Sequence, residues 1–391
     1  MKNKIKIVSI ILLFSAFMMC ISCGQKENRG EKINEDGVEV VINHIEPYRI
    51  KGEPSTFSLE KEFVIDTERD DIVELGLADI GHYFIVDSEG NINLISPKNR
   101  ENAIFKFDSN GNFIISCGRR GRGPGELIFR PFPPLFLIIN PENEITVTNF
   151  YRRKLVFFKK NGVLIREKKL DSNLLAVIPL KNDKYLVFGN LEGGSTFSTI
   201  SLSLCNSEFK KIIEFGTRKI PDERETEKIK GIYYTFPWGI SDGKIFAGLQ
   251  DKGYEINVYD LDGNLIRKIK KEYRHIPING EYKKEYLKIY ENYREFREKI
   301  YFPNNYPPFH SFFTDDEGRL FVMTYERGER PGEYIYDIFN KEGLFVGRRS
   351  LKVYHHPDGL FAIIKNNHLY CLQEKESGYK ELVVYRVTWE R

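Results

Sequence analysis

Residues 104–114, IFKFDSNGNFI, decide the fold: two apolar runs flank a turn made of Asp108, Ser109, Asn110 and Gly111. Asp, Asn and Gly tolerate the positive φ angles that tight hairpin turns need, and apolar runs on both sides are typical of paired strands. The stretch therefore predicts a β-hairpin. The same pattern returns, once in a worn form, at residues 158–165, 204–209, 259–266 and 339–346.

The glycines of the four clear copies give the length of the repeat. From Gly111 to Gly162, Gly263 and Gly343 the spacings are 51, 101 and 80 residues. A blade of a β-propeller takes about 40–50 residues, so the second interval holds two blades and the third holds one blade with an insertion. A further series of hairpin turns, which contain Asp, Asn or Gly, accompanies these copies at residues 87–90, 140–143, 182–183, 242–243, 315–318 and 366–367. Two hairpins per repeat and six repeats predict an all-β fold, a six-bladed β-propeller with four-stranded antiparallel blades.

The sixth repeat is one strand short. It supplies three apolar runs, at residues 360–364, 369–372 and 382–387. An unmatched run, KEFVID at residues 61–66, lies before the first blade. We expect this N-terminal strand to pair with the last blade and close the ring, because closure protects an edge that otherwise promotes aggregation. The propeller is thus predicted to occupy residues 56–391.

The connection between blades four and five is long enough to hold a helix. Aromatic and apolar residues recur there at steps of three and four, which is the spacing of one face of an α-helix; they are Tyr282, Tyr286, Tyr290, Tyr293, Phe296 and Ile300. We therefore predict one helical insertion at about residues 275–302. Either this helix only buries its apolar face against the propeller, or it also serves as a lid or partner-docking helix beside the central channel.

The N-terminus has the layout of an export signal. Three lysines precede an uncharged apolar run at residues 7–19, which is shorter than the roughly 20 residues of a membrane span. The run ends in CISC at residues 20–23, which resembles the lipobox of bacterial lipoproteins. The resemblance implies a signal peptide at residues 1–22 and a lipid on Cys23. The alternative is a secretory signal that is cut elsewhere.

The residues after Cys23 bear on location. Gly24 resembles the signal that sends lipoproteins to the outer membrane, and residues 25–27 resemble the tag of surface-exposed lipoproteins. Residues 23–55 are polar, with little continuous apolar sequence, and are predicted to be a lipidated tether. We therefore expect a protein of the cell envelope that contacts the outer membrane through its lipid.

Charge and cysteine content narrow the function classes. The chain has 59 basic and 56 acidic residues, so no overall field favours nucleic acid. Cys117, Cys205 and Cys371 lie in apolar, strand-like runs and are predicted to be buried thiols, because an odd number at wide spacing gives no disulfide framework.

Residues 107–131 carry a resemblance to a known family. The motif FDSNGNF at residues 107–113, the stretch GRRGRGPGEL at residues 118–127 and Pro131 resemble an NHL repeat. The whole chain is similar to the NHL-type six-bladed β-propeller lipoproteins of Gram-negative bacteria. This resemblance implies the fold and a scaffold or binding role, without a substrate.

Two motifs have a competing interpretation. The glycine-rich residues 118–125 could cradle a phosphate, but such a loop opens a helix, and the prolines that follow exclude one. A blade connector is favoured, whose arginines form either a solvated cluster or a cationic patch. Residues 108–112 and 260–264 look like parts of calcium loops, but the distal Glu of such loops is missing, so turn chemistry is favoured.

The candidate binding residues are Arg130, Trp238, His310 and His356. The last three begin, or shortly precede, predicted inner strands, which in propellers start at the mouth of the channel. We expect the four side chains to form one concave, aromatic and cationic site. Two histidines on neighbouring blades would suit zinc, but no third ligand is identifiable, so no cofactor is predicted.

The favoured function is recognition, without chemistry, of a protein, small-molecule or glycan ligand by a tethered propeller. The alternative is a metal-dependent lyase or hydrolase that uses His310 and His356. Some NHL-type propellers are zinc-dependent lyases with three channel histidines, and others are calcium lactonases with channel carboxylates. The predicted mouth offers few carboxylates, which argues against calcium.

The lipobox generates the first testable prediction. We expect Cys23→Ala to release the protein from the membrane fraction while the propeller still folds, because the acyl chains are the predicted anchor. Fractionation followed by a salt wash measures the release. Retention of the variant in washed membranes would contradict lipidation at Cys23.

Overall fold

The computed structural model describes residues 30–81, 83–97, 99, 101–128, 135–172, 174–191, 199–219, 227–232, 236–356 and 359–390. Its strands form six four-stranded antiparallel units in a ring, with the helices confined to short pieces. The prediction of a six-bladed β-propeller with four-stranded antiparallel blades is confirmed.

The strands of blades one to three follow one another along the chain, and the first strand of each blade is the inner one. Blade one holds β4 (Phe84–Val86), β5 (Ile92–Ile95), β6 (Asn102–Phe107) and β7 (Phe113–Arg119). Blade two holds β8 (Phe136–Ile139), β9 (Ile145–Asn149), β10 (Lys154–Phe158) and β11 (Leu164–Lys169). Blade three holds β12 (Leu174–Pro179), β13 (Tyr185–Gly189), β14 (Thr199–Cys205) and β15 (Lys211–Lys219).

Blades four to six repeat this order, except that blade six borrows its outer strand. Blade four holds β17 (Trp238–Ser241), β18 (Lys244–Gly248), β19 (Glu255–Asp260) and β20 (Leu265–Lys271). Blade five holds β22 (Ser311–Thr314), β23 (Leu320–Arg327), β24 (Glu333–Phe339) and β25 (Phe345–Lys352). Blade six holds β28 (Ala362–Lys365), β29 (His368–Glu374), β30 (Lys380–Glu390) and β3 (Thr56–Asp66).

The hairpin turns are held by their first side chain. Asp108 Oδ1 accepts hydrogen bonds from the backbone N–H groups of Asn110 and Asn112 at 2.9 and 2.8 Å. Such side-chain bonds mimic a backbone turn and fix its geometry. The same two-bond arrangement recurs at Asp87, Asn206, Asp260, Asp315 and Asn340.

The glycine of the repeated motif lets each blade touch the blade before it. Gly162, with φ of 79°, lies on blade two, and a Cβ there would stand 2.6 Å from Cys117 Cβ on β7 of blade one. Both the positive φ and the close approach exclude a larger residue. Equivalent contacts join Gly111 to Phe63, Gly263 to Ile213 and Gly343 to Ile269.

The core lies between the blades rather than inside a single sheet. The buried apolar side chains of the described residues form six clusters, one for each pair of neighbouring blades. Phe105 and Phe107 of blade one, for example, pack with Tyr370 and Leu372 of blade six. Because each sheet is covered on both faces, its strands are almost continuously apolar.

The predicted closure of the ring is confirmed. β3 pairs antiparallel with β30, with Thr56 opposite Glu390 and Asp66 opposite Glu381. The closing strand is longer than the predicted residues 61–66, because the five residues before them continue the pairing. Phe57, which is fully buried, packs with Phe321 of blade five and Trp389 of β30.

The prediction that residues 23–55 form a tether is wrong where the chain folds onto blade four. β1 (Glu31–Glu35) and β2 (Val38–Asn43) form a hairpin, and β2 pairs in parallel with β20. Val40 and Val41 are fully buried by this pairing. Burial of these valines and the covered backbone edge of β20 give the hairpin its stability.

The chain then crosses from blade four to blade six, so that residues 30–66 form an N-terminal belt around three blades. The amide of the buried Asn43 donates to the carbonyls of Lys270 and Gly343 and accepts from the N–H of Phe345. The N–H of Tyr48 donates to the carbonyl oxygen of Phe345 at 2.8 Å. The belt thus joins blades four and five before it supplies β3.

The insertion between blades four and five is confirmed, but its single long helix is not. Two helices, α2 (Gly280–Ile289) and α3 (Arg294–Lys299), replace it, after the earlier α1 (Asp70–Glu74). Tyr286 and Tyr290 of the predicted stripe are buried, whereas Tyr293 is 59% exposed. None of the described helices is long and apolar enough to cross a membrane.

Two short pairings lie in the connections of the described chain. β16 (Ile229–Lys230) runs parallel to β21 (Ile300–Tyr301) at the end of the insertion. β26 (His355–His356) pairs with β27 (Gly359–Leu360) before blade six. The predicted buried thiols are confirmed, since Cys117, Cys205 and Cys371 are free and buried, and burial raises their pKa to about 11, 11 and 12.

The contact between glycine turns and neighbouring blades can be tested with a matched pair of variants. Gly378 has a φ of 80° like Gly162, but no atom lies within 4 Å of the position of its Cβ. Gly378→Ala should therefore lower the free energy of unfolding by about 1 kcal/mol, because alanine is strained in the left-handed backbone conformation. Gly162→Ala should lower the free energy of unfolding by roughly 1–3 kcal/mol more than that, because Cys117 Cβ cannot move aside unless its strand moves too.

Urea denaturation of the two variants measures the difference in the free energy of unfolding. Equal losses for Gly162→Ala and Gly378→Ala would show that the contact between blades one and two contributes nothing.

Candidate functional site

Aromatic side chains stand where the inner strands begin. Tyr83 precedes β4, Phe136 starts β8, Trp238 starts β17 and Phe361 precedes β28. In blade five the corresponding position, before β22, is His310. Because inner strands line the channel, these positions place their side chains around one mouth.

The rings form a continuous series of contacts, here called the aromatic arc. From blade six through blade one, the ring centroids of Phe361 and Tyr83 are 5.8 Å apart, and those of Tyr83 and Phe136 are 5.4 Å apart. Phe136 of blade two and Trp238 of blade four then approach to 5.9 Å across the start of blade three. Tyr354 extends the arc beyond Phe361.

Blade three contributes through its second strand. Phe188 of β13 lies 5.7 Å from Trp238 and stacks on Phe236 at 6.3 Å. The rings of Tyr83, Phe136, Phe188 and Trp238 are all partly exposed, whereas Phe361 is buried. Partly exposed aromatic groups that already contact one another offer a large apolar area at little entropic cost, which suits recognition of a ligand.

The four predicted site residues have different outcomes. Trp238 lies in the aromatic arc. His310 is 8% exposed and packs edge-to-face on Tyr325, whose ring stacks on Tyr306 from the insertion. Arg130 lies outside the described residues. His356 belongs to β26, but its side chain is outside the description, so convergence of the four stays a prediction.

Most of the arc lies outside the predicted site. The prediction takes Trp238, His310 and His356 as equivalent positions, but the inner strand of blade six begins only at Ala362, which makes Phe361 the counterpart of Trp238. Tyr83 and Phe136 carry the same signal, an aromatic residue at the edge of the first apolar run of a blade.

The glycine-rich connector has its amide groups occupied. The Gly123 N–H donates to Glu126 Oε2 at 2.7 Å, and the Gly125 N–H donates to Glu167 Oε1 at 2.9 Å. Carboxylates thus fill the positions that a bound phosphate would need. The connector bridges blades one and two, as Leu127 packs in their shared cluster.

The turns that resemble calcium loops are likewise internally satisfied. Asn112 donates to Asp108 Oδ2 at 2.9 Å. Desolvation alone would raise the pKa of Asp108. This bond and the hydrogen bonds from backbone N–H groups outweigh that effect, so the pKa is lowered. Within the described part of the chain, no group of three or more His, Cys, Asp or Glu side chains is placed to hold a metal ion. Because the side chain of His356 lies outside the described part of the chain, the zinc hypothesis stays a prediction.

A buried ionic cluster joins blades four and five. Asp337 of β24, 1% exposed, accepts from Tyr254 Oη at 3.0 Å and from Arg348 Nε at 2.9 Å. Lys271 Nζ lies 3.4 Å from its Oδ2. Arg348 also donates to Glu326 at 2.7 Å. A cavity of about 50 Å³ beside the cluster has room for one or two waters.

Burial shifts the pKa of two groups in this cluster. It lowers the pKa of Lys271, although the charge of Asp337 acts in the opposite direction. Burial and then the Asp337 charge raise the pKa of Tyr254 well above its ordinary value. Since each of these charged groups already has an internal partner, the cluster is suited to holding blades four and five together.

Neutralising Asp337 tests this structural role. Asp337→Asn should lower the free energy of unfolding by about 3–5 kcal/mol, because it leaves the buried Lys271 without its counterion. The control is Glu326→Gln, whose carboxylate is 42% exposed, and which should cost less than about 1 kcal/mol. Urea denaturation compares them, and an equally small loss for both would refute a structural role for the cluster.

Comparison with known proteins agrees with the fold. A family model described as a six-bladed β-propeller, DUF5128, matches residues 80–271, which span blades one to four. A protein of Bacteroides fragilis described as exported has a crystal structure that is similar over 90% of this chain and 100% of its own. Its TM-score is 0.52 at 12% sequence identity.

Two further solved structures are similar at lower scores. A member of the DUF4221 family from Bacteroides vulgatus covers 94% of this chain and 100% of its own, with a TM-score of 0.44 and 14% identity. Virginiamycin B lyase from Staphylococcus aureus covers 84% and 99%, with a TM-score of 0.38 and 11% identity. No curated protein matches the sequence. The chain is a six-bladed β-propeller.

Proposed function

We propose that this protein is a lipid-anchored envelope protein whose propeller binds a ligand or partner at the aromatic arc, without catalysing a reaction. The arc carries the proposal. Its partly exposed rings come from blades one to four and are held in place by the interblade clusters. Such a preorganised apolar surface loses little freedom on binding.

The anchoring part of the proposal rests on the sequence. The lipobox-like end at Cys23 supports lipidation, and Gly24 supports delivery to the outer membrane. The likeness to NHL-type lipoprotein propellers agrees with both. The description of the Bacteroides fragilis protein as exported fits the same location.

The chemistry of the arc favours ligands with a flat apolar face. Sugar rings, aromatic groups and peptide side chains with a flat apolar face all pack on aromatic surfaces. The Phe136–Trp238 contact narrows the mouth between blades two and four. We therefore favour a chain-like ligand, such as an oligosaccharide or an extended peptide, that lies along the arc.

Tryptophan fluorescence tests the site directly, because the sequence has two Trp residues. Trp389 lies in β30 and packs on Phe57, away from the arc. In a soluble Cys23→Ala, Trp389→Phe variant the emission comes from Trp238 alone. We expect a saturable emission change with one of a panel of maltopentaose, xylopentaose, chitopentaose and aromatic tripeptides.

A second variant shows whether the arc carries the affinity. Phe136→Ala should weaken the binding of that ligand roughly 10- to 100-fold, because aromatic residues at the centre of a site dominate its energy. Trp238→Phe, which keeps Trp389, serves as the silent control. Calorimetric binding that survives Phe136→Ala unchanged would place the ligand elsewhere on the propeller.

A further inference from the structure

The N-terminal belt fixes where the anchored end of the chain meets the propeller. A Cβ on Gly30 would touch the side chains of Leu344 and Tyr48, so this residue is held at the junction of blades four and five. Beyond the hairpin, His44 faces Glu272 at 3.3 Å and the N–H of Glu272 donates to the carbonyl of Asn43. The belt therefore runs beside the segment that leads into the helical insertion.

The distance between this junction and a lipid on Cys23 is short. The two residues are seven positions apart, and seven residues span at most about 25 Å when fully extended. A domain of this size measures roughly 50 Å across. If Cys23 carries the lipid, as the proposed function assumes, the junction of blades four and five stays near the bilayer and the opposite blades face away from it.

The insertion that leaves this junction has a second apolar side. Its inner side holds the buried Tyr286 and Tyr290, and the Tyr286 hydroxyl donates to the carbonyl of Lys230 in the connection before blade four. Its outer side leaves Ile289 and Tyr293 each 59% exposed, and Tyr301 46% exposed. Packing against the blades does not account for these three residues.

Charged side chains of both signs surround the exposed apolar residues. Lys284, Lys288, Arg294 and Arg297 are exposed, as are Glu281, Glu285, Glu291, Glu295 and Glu298, and Arg294 pairs with Glu298 at 2.8 Å. Tyr side chains are enriched at the interface between membrane and water. The exposed tyrosines therefore match the headgroup region of a bilayer, whereas the mixed charges favour no lipid of one sign.

We infer that the outer side of the helical insertion rests on the headgroups of the membrane that holds Cys23. The short chain segment before Gly30 and the exposed Ile289, Tyr293 and Tyr301 are independent observations, and both belong to the same blade junction. This contact orients the propeller edge-on, with blades four and five against the lipid.

Site-specific fluorescence tests the orientation. The full chain with Tyr293→Cys carries a fluorophore on the introduced thiol, because the native thiols at 117, 205 and 371 are buried with raised pKa values. The protein is purified from membranes and reconstituted into phosphatidylethanolamine and phosphatidylglycerol vesicles with a headgroup-level spin-labelled lipid. The matched control is Val163→Cys on blade two, where the native residue is 52% exposed.

We expect the spin label to quench the fluorophore at position 293 at least about twofold and to leave that at position 163 unchanged, because quenching needs contact with the headgroup layer. Equal quenching at the two positions, in protein that stays with the vesicles, would overturn the membrane contact of the insertion but not the lipid anchor. Absence of the protein from the membrane fraction would overturn the lipid anchor, and the orientation with it.

Discussion

The ring depends on the contact between the outer hairpin turn of one blade and the outer strand of the blade before it. At Gly162 and Gly343 this contact is so close that a Cβ would collide with Cys117 or Ile269. A missing side chain is thus what allows neighbouring sheets to pack face to face and to bury an apolar cluster between them. The inner strands, and the aromatic arc at their starts, take their positions from this packing.

The blades were predictable because their determinants are local. Turns such as residues 108–112 contain, within five residues, both the side chain that fixes the turn and the glycine that permits it. The closing strand followed from counting strands. The hairpin of β1 and β2 was not predictable in this way, since its partner β20 lies over 220 residues away and pairs in parallel. Helix spacing likewise did not reveal the break between Tyr290 and Tyr293.

The candidate site was predictable only in part. Trp238 was recognisable because it begins an inner strand, but its contact with Phe136 depends on how closely blades two and four approach past blade three. The ionic cluster gave no local signal at all. Lys271 and Asp337 occupy ordinary strands 66 residues apart, and only the packing of blades four and five makes them partners.

The N-terminal belt has a consequence for the order of folding. A ribosome makes β3 long before its partner β30, with Thr56 opposite Glu390, and β2 likewise waits for β20. Blades one to three contain all their own strands and are free to form as they emerge. The ring closes only after synthesis reaches residues 380–390, so β3 is made early but is the last strand to find its partner. Pairings so distant in sequence slow folding and leave strand edges open to aggregation in the meantime.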